Sequence, residues 1–163
     1  MRLVVADTSP VFYLLSIERI DVLPALFGKV LLPEAVRSEL LHPKAPEAVR
    51  IWAGELPSWV EVHRADITDD GELESLGAGE REAILLALSI RADMLLIDER
   101  KGANIALKKG FEVMGTLGIL DRAAERGLLD LRDALERLKA TTFRYREEML
   151  NALLAKQNRR NHS

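Results

Sequence analysis

Four carboxylates, Asp7, Glu39, Glu80 and Asp98, each stand at the end of an apolar segment where a strand or helix should stop. Mg²⁺ and Mn²⁺ are hard cations that prefer oxygen ligands, and Mg²⁺ usually keeps several waters beside one or two carboxylates. Four such acids could hold one or two ions. Two ions about 4 Å apart can polarise a phosphodiester, activate a water and stabilise the leaving oxygen without any side-chain nucleophile. Without a cation the same acids repel one another, which predicts raised and coupled pKa values that metal binding relieves.

The segments that carry these acids predict where they meet. Leu3-Val4-Val5-Ala6 reads as a short buried strand that delivers Asp7 to its C-terminal end, and Met94-Leu95-Leu96-Ile97 repeats the pattern for Asp98. In open parallel sheets the ligand site lies outside the carboxyl ends of the strands, so both acids are expected to face one crevice. Pro33-Glu34 opens a helix whose last turns carry Glu39. Glu80 follows Gly77-Ala78-Gly79 in the first turn of another helix, where the dipole favours an anion and a structural cap is an equally good reading.

Further elements follow from periodicity and punctuation. Helices are expected over 10–17, with Thr8 or Ser9 as cap, over 22–28 behind Asp21, and around 47–53. Others are expected over 80–90, 102–109 before Gly110, 116–126 before Gly127, 131–140 behind Asp130, and 144–157. Strands are expected over 29–32, 59–62 and 111–114. Residues 64–76, with Asp66, Asp69, Asp70, Glu72 and Glu74, read as an exposed connection, and Arg159-Arg160 as a frayed tail. Strands alternate with helices, which predicts an α/β fold with a mainly parallel central sheet and helices on both faces.

At 163 residues and 48% hydrophobic content the chain has enough apolar material for one substantial core. The absence of cysteine removes disulfides, thiolate metal sites and cysteine nucleophiles, and fits a cytoplasmic protein. No apolar run is long enough to span a bilayer. The net charge of −3 does not advertise a nucleic-acid binder, although an acidic metal cluster lowers the total while basic residues elsewhere can still form a patch.

Asp7-Thr8-Ser9 after the first strand, Val36-Arg37-Ser38-Glu39-Leu40, Gly79-Glu80-Arg81-Glu82-Ala83-Ile84 and Leu96-Ile97-Asp98-Glu99, in this order, resemble the PIN domain. Gly115-Thr116-Leu117-Gly118 is similar to a prokaryotic branch related to the VapC toxins. The likeness runs from Met1 to about Leu129, and the expected organisation is a single PIN-like domain over 1–141 with a C-terminal helical extension over 142–163. It implies a metal-dependent ribonuclease, with Asp7, Glu39, Glu80 and Asp98 as the acidic site for Mg²⁺ or Mn²⁺, Ser9 as a hydroxyl near the first acid and Glu99 as an assisting acid. RNA as substrate, a small antitoxin as partner and a homodimer are implied with it. One feature departs from the pattern: Leu95, Leu96 and Ile97 are all apolar where many relatives have a hydroxyl shortly before the last acid.

Arg100, Lys101, Lys108 and Lys109 follow Asp98, where they either meet a phosphate backbone or form a plain solvated face. His42, His63 and His162 share no metal-ligand spacing. Trp52 and Trp59 are expected to pack on the core. Two other functional classes compete with the nuclease: a receiver-like Mg²⁺-binding signalling domain, and a catalytically silent PIN-like module that binds RNA or protein.

Overall fold

The computed structural model describes residues 2–66 and 71–162; Asp69 and Asp70 of the acidic connection lie outside the described residues. The first half of the chain contains β1 (Val4–Ala6), α1 (Thr8–Ser16), α2 (Val22–Phe27), β2 (Val30–Pro33), α3 (Glu34–Leu40), α4 (Glu47–Gly54) and β3 (Val60–His63). The second half contains α5 (Ala78–Ile90), β4 (Met94–Leu96), α6 (Arg100–Lys108), β5 (Glu112–Met114), α7 (Thr116–Glu125), α8 (Leu131–Lys139) and α9 (Glu147–Asn161).

The strands form one sheet in the order β3-β2-β1-β4-β5, and every pairing is parallel. Val4, Val5 and Ala6 have no exposed surface, as expected for a strand covered on both faces. Alternate residues serve opposite layers. Val4, Ala6, Met94 and Leu96 join the core beneath α1, α7 and α8, whereas Val5, Leu31 and Leu95 join a second core beneath α5 and α6. A one-residue slip would exchange the two faces of a strand, so the flanking helices hold the register that aligns the strand ends.

That register creates the crevice. Ala6 lies opposite Leu96, and the Asp7 N–H donates to the Leu96 carbonyl at 2.8 Å. The chain steps from β1 to β2 on one side and reaches β4 on the other, so Asp7 and Asp98 emerge where the strand order reverses. This is where open α/β sheets bind ligands. The order also differs from the 2-1-3-4-5 arrangement of receiver-like folds, which removes that alternative on topology.

Several local expectations are corrected. α1 begins at Thr8 with Asp7 at its N-cap, and neither Thr8 nor Ser9 caps it, because their hydroxyls are engaged elsewhere. α6 starts at Arg100, two residues before the expected Gly102, because Glu99 accepts the N–H groups of Lys101 and Gly102. The connection after β3 is not wholly exposed, since Leu73 and Leu76 are buried against the α5 side of the sheet.

The C-terminal pair Arg159-Arg160 is not a frayed tail. α9 buries Leu150 in the same core as β1, with Leu153 and Leu154 packed beside it. Asp121 on α7, 8% exposed, accepts from Lys156 Nζ at 2.9 Å and from Arg160 at 3.1 Å. Trp52 and Trp59 pack against the core with ring centroids 6.0 Å apart. Among the described residues no helix is long and apolar enough to cross a membrane.

Candidate functional site

Asp7, Thr8 and Ser9 hand their side chains to three different places. Asp7 goes inward and is only 3% exposed. The Thr8 hydroxyl donates to Glu39 Oε2 at 2.5 Å, and the Ser9 hydroxyl donates to Asp98 Oδ2 at 2.9 Å. One turn of chain thereby ties the acid of α3 and the acid after β4 to the end of β1.

Each remaining acid is also held by backbone. Glu39 Oε1 accepts the Gly79 N–H at 2.9 Å, and Glu80 Oε2 folds back onto the Gly77 N–H at 2.8 Å, which caps α5. Asp98 receives two bonds from one residue, Thr116, whose N–H reaches Oδ1 and whose hydroxyl reaches Oδ2, both at 2.7 Å. Thr116 is fully buried. It supplies the hydroxyl that the apolar Leu95-Leu96-Ile97 run lacks, from the start of α7 instead of from β4.

Two glycines make the approach possible. A Cβ on Gly79 would lie 2.8 Å from both oxygens of Glu39 and 3.0 Å from Asp7 Oδ1, so the two carboxylates crowd the same point. A Cβ on Gly115 would lie 2.7 Å from Asp98 Oδ1.

The electrostatics are those of an uncompensated acidic cluster. Burial raises the Asp7 pKa from 3.8 to about 7; a hydrogen bond from the Thr8 backbone opposes this, and Glu80, Glu39 and Asp98 add to it. Among the described residues none of the four acids has an ion-pair partner, although most other salt bridges of the chain join acids to nearby bases. Among the described residues no three Asp, Glu, His or Cys side chains converge into a ready cation cage, and Glu39, Glu80 and Asp98 each accept hydrogen bonds from the protein.

Two cavities meet here. A smaller one, about 310 Å³, is bordered by Asp7, Thr8, Ser9, Glu39 and Glu80. A larger cleft of about 840 Å³ shares Ser9, Tyr13 and Glu80 with it, and adds Asp98, Arg100 and the segment from Thr142 to Arg146. The structure thus gathers Asp7, Ser9, Glu39 and Glu80 about the smaller cavity, and Ser9, Glu80 and Asp98 about the larger one. A model of one protein family, described as PIN domain, matches residues 3–159.

The chain belongs to the PIN domain family. Neither a curated protein nor a solved structure matches it. The PIN match reaches into α9, beyond the segment whose motifs carried the resemblance. Membership supports a nuclease-type function.

The peripheral site candidates divide. Glu99 borders the larger cleft, but its carboxylate is spent on the cap of α6. Arg100 borders the same cleft, whereas Lys101 and Lys108 are exposed and border neither cavity. Lys109 pairs with Glu72 at 3.0 Å. Sequence reasoning missed Thr8 and Thr116 as partners of the acids. The signal for Thr116 was present in Gly115-Thr116, a hydroxyl residue next to a glycine at a strand end.

Proposed function

We propose that this PIN domain is a metal-dependent endoribonuclease that hydrolyses RNA phosphodiesters at the carboxyl edge of β1 and β4. The observation that carries the proposal is Asp7: a buried acid with three further carboxylates beside it and no base to neutralise it. Such a group is unfavourable for folding alone and favourable for holding a cation.

The donor set fits a hard divalent ion. All four side chains offer oxygen, and the Gly79 cradle leaves Asp7 and Glu39 side by side. Asp7, Glu39, Glu80 and Asp98 would hold Mg²⁺ or Mn²⁺. Bound there, the ion supplies Lewis-acid charge for the phosphate and makes water a competent nucleophile near neutral pH.

The remaining work belongs to the chain's own groups. Ser9 and Thr116 donate to both oxygens of Asp98, and Thr8 with the Gly79 N–H donates to both oxygens of Glu39, so hydrogen bonds from the protein orient both carboxylates. With a cation held there, Asp7 would release its carboxyl proton to solvent and serve as a carboxylate. The Ser9 and Tyr13 side chains border both cavities and join the acidic edge to the larger cleft.

The decisive experiment is cleavage of a mixed RNA pool by purified protein with Mn²⁺, with Mg²⁺ and with chelator, beside Asp7→Asn. Cleavage that needs the ion and disappears in the folded variant supports the nuclease; RNA binding without cleavage would favour the silent module. The likeness of Gly115-Thr116-Leu117-Gly118 to the VapC-related branch supports a finer reading as the toxin of a toxin–antitoxin pair, with a small antitoxin partner and a homodimer. Growth arrest on induced expression and the sedimentation coefficient of the purified chain test those two parts.

A further inference from the structure

Glu99 stands directly after Asp98, yet its carboxylate serves a different element. Oε1 accepts the Lys101 N–H at 3.1 Å and Oε2 accepts the Gly102 N–H at 2.7 Å, so both oxygens cap the first turn of α6. The residue borders the larger cleft but not the smaller cavity, where Asp7 and Glu39 lie. We propose that Glu99 is a positioning residue and not an ion ligand: by capping α6 it seats Gly102 against Glu80, and so fixes the acid that borders both cavities. The proposal rests on the nuclease reading for the identity of the ion, and on the packing of α5 against α6 for the positioning.

The first support is what α6 would lose without this acid. Its first turn begins with Arg100 and Lys101 and contains no acid, and cations at that end oppose the helix dipole. Glu99 supplies the missing negative charge together with acceptors for two N–H groups that a helix start leaves without intrahelical partners. Its carbonyl also accepts the Ala103 N–H at 2.9 Å.

The second support is the contact between that turn and the acidic site. A Cβ on Gly102 would lie 3.8 Å from Glu80 Cβ and 2.9 Å from Cδ1 of Ile97, the residue before Asp98. The absent side chain is what lets α6 close on both. Ile105 and Ala106 of α6 share one buried core with Ile97 and with Ala83 and Ile84 of α5, so a shift of the α6 start is passed to the start of α5. Glu80 depends on that packing more than the other acids do. Its carboxylate is tied within its own helix start, by the Gly77 N–H at 2.8 Å, whereas Glu39 and Asp98 are held from other elements.

The test separates capping from charge at position 99. Asparagine and serine are strong caps without a carboxylate, and alanine is neither. The wild-type chain, Glu99→Asn, Glu99→Ser, Glu99→Ala and Gly102→Val are compared, with circular dichroism to show that each is folded. Amide exchange in chelator, followed by NMR, reads the Gly77 N–H that Glu80 holds; titration with Mn²⁺, followed by the paramagnetic resonance of the free ion, reads the site. Glu99→Ala should speed exchange at Gly77 about fivefold, the worth of one hydrogen bond, and weaken Mn²⁺ binding about tenfold or more, as loss of a group that orients ligands does. Gly102→Val should do the same with the Glu99 carboxylate still present, which covers the case of an alanine variant that does not fold. Glu99→Asn and Glu99→Ser should stay near wild type in both measurements.

Mn²⁺ binding weakened as much in folded Glu99→Asn and Glu99→Ser as in Glu99→Ala would make the charge itself part of the ion site and overturn the proposal. Unchanged Gly77 exchange in folded Glu99→Ala and Gly102→Val would overturn it as well, and would leave the metal site standing if the wild-type chain binds Mn²⁺. A wild-type chain that takes up no Mn²⁺, while Gly77 exchange still follows the cap, would end the metal reading and leave the positioning role in place.

Discussion

Thr116 donates both its backbone N–H and its hydroxyl to the carboxylate of Asp98, each at 2.7 Å, from a fully buried position at the start of α7. The two residues follow the carboxyl ends of neighbouring parallel strands, Asp98 after β4 and Thr116 after β5, and Gly115 leaves room for their close approach. Thr116→Val keeps the shape and the N–H but removes the hydroxyl. Its expected cost in folding stability is about 1 kcal/mol, and its expected cost in Mn²⁺ affinity is about 10–100-fold, as for other groups that orient ligating carboxylates. Titration of the melting temperature with Mn²⁺ reads both, and Thr116→Ser should restore the metal response.

The raised pKa of Asp7 predicts how the metal-free protein responds to pH. The unfolded chain releases this proton near 3.8, whereas the folded chain retains it until about 7. Stability is therefore greatest below the unfolded value and falls as pH climbs from about 4 to 7, by roughly 4 kcal/mol for a shift of about three units. Urea unfolding in chelator across this range should show the decline, and Asp7→Asn should flatten it. A wild-type protein that gained stability between these limits would contradict the burial of Asp7 among acids.

The strands and most of the acid positions were legible in the sequence because both follow from short-range rules. Val4-Val5-Ala6 and Met94-Leu95-Leu96 can only be buried on both faces, and the acid after each must then emerge at the sheet edge. Thr8 was read as a helix cap because local preference favours it there, but a carboxylate from α3 took its hydroxyl. Arg160 looked like tail because nothing nearby in sequence explains it; its partner Asp121 lies 39 residues away. The helix expected over 144–157 starts instead at Glu147.

The clasp of α9 gives a prediction of its own. Burial of Asp121 opposes its ionisation, but the hydrogen bonds and charges of Lys156 and Arg160 outweigh that and hold its pKa below the ordinary value. The stabilisation is present above the unfolded pKa and is lost as pH falls through the folded one. Asp121→Asn should lower stability at pH 7 by about 1–2 kcal/mol. It should also have a smaller effect in concentrated salt, and urea unfolding at two salt concentrations measures both.

Gly79→Ala separates the site from the helix that carries it. Alanine favours a helix over glycine by up to about 1 kcal/mol, so the backbone of α5 gains from the change. Its methyl group, however, would overlap both oxygens of Glu39 and press on Asp7 Oδ1. The variant should fold, with a melting temperature in chelator close to wild type, while Mn²⁺ no longer raises it as far. A full Mn²⁺ response in Gly79→Ala would show that Asp7 and Glu39 need not share the Gly79 cradle to bind the ion.

The last prediction asks whether the acids act as a unit. If Asp7 and Asp98 hold one cation set, either Asp7→Asn or Asp98→Asn should remove most turnover, and the double variant should lose little more, because groups that act together are not additive. Neither change should unfold the chain. Each removes a charge from a crowded cluster, and Asp7→Asn replaces a buried acid by a neutral isostere, so the metal-free form should gain stability at pH 8. Single-turnover cleavage of a mixed RNA pool in Mn²⁺, with melting curves for each variant, makes the comparison. Losses that multiply, each variant keeping a share of activity independent of the other, would assign Asp7 and Asp98 to separate tasks.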